Sequence, residues 1–173
     1  MADINKLIPH ILKWEGGFVN NIHDKGGATM KGVTLRTYTD YCERKGLPEP
    51  NIIDLQNIPD EHWNAILKEG YWNRWRADEI KDQSVANILV DWVYNSGVHG
   101  IRIPQYLLSL KSDGIVGKLT LNAINSYPNQ QELFERLKAE RIRYYNRLAT
   151  EPSQKKFLKG WINRVNDFRY ETY

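Results

Sequence analysis

The chain of 173 residues holds one cysteine, Cys42, so no intrachain disulfide can form and no Cys-x-x-Cys pair is available for zinc or redox work. Cys42 stands at helical spacing from Tyr38 and Leu35, which predicts a small buried side chain rather than a nucleophile. No run approaches the roughly 18 to 20 apolar residues of a membrane-spanning helix, so no stable membrane insertion is expected. The opening Met1-Ala2-Asp3-Ile4-Asn5-Lys6 lacks a basic stretch followed by an apolar one, giving the expectation of synthesis in the cytoplasm without an ordinary secretory signal. His10, His23, His62 and His99 are scattered and form neither a His-x-x-x-His pair nor a His and Cys cluster, so no metal is expected. Phosphate-loop, nucleophile-elbow and Cys–His patterns are missing too, which removes nucleotide hydrolysis and covalent acyl transfer. With no cofactor implied, carboxylate acid catalysis is the chemistry these absences leave. No fixed-period repeat, low-complexity tract or sustained heptad is present.

What is present is an ordinary globular balance, 41% hydrophobic and 26% charged, sufficient for a real core in one compact domain or a domain with an appended lobe. The net charge of +3 is uneven: residues 131–173 hold ten Lys or Arg against six Asp or Glu. A basic C-terminal third suits an anionic polymer, cell wall or nucleic acid, and equally describes a solvated helix face. No nucleic-acid-binding motif accompanies it, so a nucleic-acid partner is not expected; a monomer is.

Apolar spacing predicts a mainly α chain. Ile4, Leu7, Ile8, Ile11 and Leu12 mark a first helix with Asp3 as its cap, which either starts near Pro9 or kinks there. Residues 18–34, rich in Gly and short polar side chains, predict turns or a small β-hairpin. Thr34 caps a helix running to about Lys45 and closed by Gly46, and another starts near Pro59 and buries Trp63, Ile66 and Leu67. Val85, Ile88, Leu89, Trp92 and Val93 predict a central buried helix after a Ser84 cap. A short helix from Pro104 to Leu110, the loop Asp113-Gly114-Ile115-Val116-Gly117, a helix with Leu121 and Ile124, and two long helices complete the chain.

Glu15 closes the first helix, beside Trp14 and before Gly16-Gly17-Phe18. The backbone dipole at a helix C-terminus and apolar neighbours both disfavour a charged carboxylate, which suits a group that must hold a proton and give it away. A solvated glutamate ahead of a glycine stop is the commoner reading of such a position. Its neighbours shift the balance: Asp24 follows after eight residues, then Gly26-Gly27-Ala28-Thr29 and Gly32-Val33-Thr34. A second carboxylate across a cleft could activate water, with Thr29 or Thr34 holding that water or a sugar hydroxyl. Tyr71, Trp72 and Trp75, interleaved with Arg74 and Arg76, could stack on sugars and meet acidic groups, or simply fill a core. Asp91 and Asn95, at i and i+4, could line a sugar groove or pair with a neighbouring helix.

Glu15-Gly16-Gly17-Phe18-Val19-Asn20, Asp24-x-Gly26-Gly27-Ala28-Thr29 and Gly32-Val33-Thr34 resemble the signature of glycoside hydrolase family 108. These are bacterial and phage N-acetylmuramidases, some described historically as secretion activator proteins. The resemblance continues through Tyr71-Trp72, through Asp91-Trp92-Val93-Tyr94-Asn95-Ser96-Gly97 and through Asp113-Gly114-Ile115-Val116-Gly117-x-x-Thr120, which is similar to the family's peptidoglycan-binding region. It implies a lysozyme-like catalytic region over residues 1–95, a helical wall-binding region over 96–173, and Glu15 as the catalytic acid acting on peptidoglycan glycan strands. Phe18 stands where the family motif usually has Tyr, so no phenol at that position is needed. The Glu, eight residues, Asp spacing also resembles phage lysozymes whose Asp orients water, although only four residues part Asp24 from Thr29, one fewer than that pattern has.

Overall fold

The computed structural model describes residues 1–20 and 27–172. Among them are nine α-helices and one three-stranded antiparallel sheet, a mainly α, lysozyme-like architecture. The chain divides into two compact units, Leu7–Gly70 and Tyr71–Tyr173, the latter joined by Met1–Lys6. No helix among the described residues is long and apolar enough to cross a membrane.

In the first unit, α1 (Ile8–Trp14) carries Pro9 in its opening turn, where an absent N–H costs nothing, so the helix starts near the proline and is not kinked by it. Leu7 and Ile11 are fully buried. Asp3 therefore does not cap α1. Its carboxylate accepts from the Asn5 amide at 2.9 Å and secures a separate 3-10 turn, Ile4–Lys6. The expected β element is a sheet: β1 (Phe18–Asn20) pairs with β2 (Ala28–Met30), and β2 with β3 (Val33–Thr34). Thr34 then caps α2 (Leu35–Arg44) by accepting from the Thr37 amide at 3.1 Å. Cys42 is buried on this helix, and burial pushes its thiol pKa up against the opposing effect of a hydrogen bond with Tyr38.

Sequence reading missed α3 (Ile52–Gln56), which follows the proline-rich 47–50 segment and is held by a reciprocal capping box between Asn51 and Asp54. The next helix, α4 (Asp60–Leu67), buries Trp63, Ile66 and Leu67 as expected. The Trp63 indole donates to the Lys31 carbonyl at 3.1 Å and so ties the β2–β3 turn to α4.

The second unit is built around α5 (Gln83–Ser96), whose Val85, Ile88, Leu89, Trp92 and Val93 have no exposed surface. Burial of each such side chain contributes roughly 1.5 to 3 kcal/mol. The α5 cap is Asp82, which accepts from the Val85 amide at 2.9 Å; Ser84 instead exchanges hydrogen bonds with the Glu171 backbone. The helix α6 (His99–Leu107) begins five residues before Pro104 rather than at it. A Cβ on Gly100 would lie 2.5 Å from the Val93 nitrogen, so only glycine lets α6 close on α5 there, and that packing carries the helix back past the proline. Three more helices follow as expected, α7 (Lys118–Asn125), α8 (Gln130–Leu148) and α9 (Leu158–Asp167). The chain start is stitched to this unit, with Ala2 donating to the Ile80 carbonyl at 2.8 Å and Asp3 to the Gln83 side chain at 2.7 Å.

Candidate active site

Glu15 is the C-cap of α1. Its backbone is already extended (φ −89°, ψ 123°), and its N–H still donates to the Ile11 carbonyl at 2.9 Å. The helix thus ends at Trp14, one residue before the glycines expected to stop it. The Glu15 side chain is half-buried, as is the Trp14 ring, which has the Lys13 ammonium 5.5 Å from its centroid. A Cβ built on Gly16 or Gly17 meets no atom within 4 Å, so packing among the described residues does not demand glycine at either position.

Asp24 lies outside the described residues, as do His23 and Gly26. The sheet sets the register Val19↔Thr29 and Thr29↔Thr34. Cross-strand partners project to the same face, so Val19, Thr29 and Thr34 form one row. Ala28, Met30 and Val33 take the opposite face, where Ala28 and Val33 are buried. Val19 is 53% exposed, which makes the threonine row the more accessible face of the sheet. The Thr34 hydroxyl is engaged by Thr37, accepting from its amide and donating to its hydroxyl at 3.0 Å, so its place is that of a helix cap.

The candidates in the second unit meet two different fates. Tyr71 is half-buried, with its ring centroid 4.7 Å from that of Tyr94. Trp72 has no exposed surface, and its indole donates to Asp78 at 2.8 Å; Trp75 is equally buried. Of the two readings open to these tryptophans, the core is the one the fold adopts.

Asp91 and Asn95 do share a face, Asp91 fully buried on it and Asn95 partly so. Asp91 has no exposed surface, and its oxygens take the Arg141 guanidinium at 2.7 Å and the Arg164 guanidinium at 2.6 Å. One helical turn on, Asn95 accepts from the Tyr145 hydroxyl. The i, i+4 pair on α5 is thus matched by Arg141 and Tyr145, an i, i+4 pair on α8, with Arg141 also donating to the Tyr145 oxygen at 3.0 Å. A residue with no accessible surface cannot touch a glycan, so of the sequence alternatives for Asp91, pairing with neighbouring helices is the one realised. Burial alone would raise the Asp91 carboxyl, but attraction and hydrogen bonds from Arg141 and Arg164 outweigh it and hold the group below its ordinary 3.8. The Arg141–Tyr145 spacing is visible in the sequence; which helix it faces is not.

A short helix that ends in a half-buried glutamate and runs straight into a small antiparallel sheet, within an otherwise helical chain, is a lysozyme-like arrangement. The family model for glycosyl hydrolase 108 matches residues 8–97, and the model "Predicted Peptidoglycan domain" matches residues 99–166. The chain belongs to the glycosyl hydrolase 108 family and is a peptidoglycan hydrolase. The solved structure of SagA from Brucella abortus is similar to it at 26% identity with a TM-score of 0.77, covering 95% of this chain and 90% of that one. Comparison with curated proteins finds no match.

Proposed function

We propose that the chain is an N-acetylmuramidase that cleaves the β-1,4 bond between N-acetylmuramic acid and N-acetylglucosamine, with Glu15 as its general acid. The observation that carries this is the place of Glu15: half-buried at the end of α1, followed by two glycines with open space around them among the described residues, inside the segment matched by the family model. Glu15 protonates the glycosidic oxygen as the bond breaks, and Asp24 serves as base or as electrostatic partner to the developing positive charge. Thr29, on the accessible face of the sheet, and Tyr71, half-buried, contact the glycan directly. Thr34, Trp72, Asp91 and Asn95 act within their own units instead, through the cap, the core and the α5–α8 rungs.

Catalysis is assigned to residues 1–95 and retention on the wall to residues 96–173. The two family models part between residues 97 and 99, close to this division, whereas the compact units part at Gly70 and Tyr71. The enzyme acts at the cell wall, in the manner of an endolysin or of a secretion-activating muramidase.

The test is lysis of purified peptidoglycan by wild type and by Glu15→Gln. Loss of a general acid lowers the rate by about a hundredfold to ten-thousandfold; undiminished lysis by the variant would refute the assignment. Mass spectrometry of the products separates hydrolysis from its close rival, because a lytic transglycosylase leaves 1,6-anhydromuramoyl ends and consumes no water.

A further inference from the structure

The second unit holds a hollow of about 330 Å³ between the 113–117 loop and the start of α7, lined by Leu110, Lys111, Ile115, Lys118 and Leu119 among others. Its framework is fixed from below by Gln105, a buried side chain on α6. The Gln105 amide nitrogen lies 3.1 Å from the Asp113 carboxylate, 3.0 Å from the Ile115 carbonyl and 3.2 Å from the Thr120 hydroxyl, and its oxygen accepts from the Gly114 amide at 2.9 Å. Gly114 adopts φ +76°, and a Cβ there would sit 2.6 Å from the Val98 side chain, so the loop is pressed onto its support. A loop held this firmly would be expected to tuck its apolar side chains inward. Val116 does so, whereas Ile115 is 71% exposed, and Leu119, in the first turn of α7, is 76% exposed at the rim. Large aliphatic side chains that a rigid frame keeps in water mark a contact surface.

We propose that this hollow takes the peptide stem of peptidoglycan, whose alanine methyls rest on Ile115 and Leu119 and whose carboxylates meet Lys111 and Lys118. The proposal rests on the chain's assignment to peptidoglycan and adds which part of that polymer the second unit grips. Two observations favour peptide over glycan. Among the described residues the lining holds no aromatic ring on which a sugar could stack, and its two lysines complement a ligand bearing several carboxylates. Asp113 adds one anion, which the Ile115 amide and Gln105 hydrogen-bond and keep below the usual carboxylate range; it is placed to meet the ammonium group of a stem diamino acid.

The experiment uses the full chain carrying Glu15→Gln, so that walls are bound without being digested. Binding is measured to intact sacculi and to sacculi whose stems have been removed by an N-acetylmuramoyl-alanine amidase. Intact walls should bind about tenfold more tightly than stripped ones. Ile115→Ser and Leu119→Ser should each erase that difference while leaving the thermal midpoint unchanged, since both side chains are exposed. Equal binding to intact and stripped walls, or a preference untouched by either substitution, overturns the proposal. Release of reducing ends by the wild-type enzyme is scored separately, so failure of the muramidase reading and failure of stem recognition give different results.

Discussion

Glu15 leaves the helix in extended backbone, so the two glycines after it are not needed to terminate α1. They carry no left-handed φ, and an added methyl on either meets open space among the described residues. Conformation and packing among the described residues therefore give no account of them, whereas the proposed muramidase reading supplies one, close approach of a glycan to this backbone. Gly16→Ala and Gly17→Ala should accordingly keep or slightly raise stability, by up to about 1 kcal/mol through the less flexible unfolded chain, while kcat/KM on peptidoglycan falls about tenfold. Unchanged kcat/KM in both variants would remove the glycines from the substrate path. Thr34 carries the opposite lesson, because its hydroxyl is taken up by Thr37 and its worth is that of a cap, about 1 kcal/mol.

At the scale of elements, the second unit is fastened by Asp91, which draws α8 and α9 onto α5 through Arg141 and Arg164. The Arg141 guanidinium also lies 6.0 Å from the Trp92 ring and 5.6 Å from the Tyr145 ring. Replacing a buried carboxylate that faces two guanidinium groups leaves uncompensated positive charge, so Asp91→Asn should cost about 3 to 5 kcal/mol. The pH dependence follows from the depressed carboxyl. Its stabilisation is complete above the unfolded-state value near 3.8 and fades as pH falls through the lower folded-state value. Urea unfolding across acidic pH should therefore show wild type losing stability more steeply than Asp91→Asn, with the two converging in strong acid. A constant gap between them would mean that the ion pairs are not the source. Most elements are readable from local signals: the α5 stripe, the Thr34 cap and the glycine-rich sheet all appear in the sequence. The Asn51–Asp54 box that starts α3 is equally local and was hidden by the prolines before it. The roles of Asp91 and Asn95 were not readable, because their partners lie 50 and 73 residues away and only packing selects which helices meet.

Across the whole molecule, the basic C-terminal third looks in sequence like a patch for an anionic polymer, and the fold reduces it. Arg141 and Arg164 are both spent on Asp91, so eight basic residues of the 131–173 segment remain to face its six acidic ones. Two of those eight, Arg143 and Arg147, are paired with Glu140 at 2.6 and 3.7 Å. What is left is a weak field, and weak fields do not hold a protein on a wall by long-range attraction. Retention must then rest on short-range contact, of which the aliphatic rim at Ile115 and Leu119 is the clearest instance. Raising salt from about 0.1 M to about 1 M shortens the screening length from about 10 Å to about 3 Å, which removes most long-range attraction and leaves apolar contact intact. Capture of the Glu15→Gln chain on purified sacculi should therefore fall by less than about threefold over that range. Loss of capture by orders of magnitude would instead return the charged surface to the leading role that its sequence suggests.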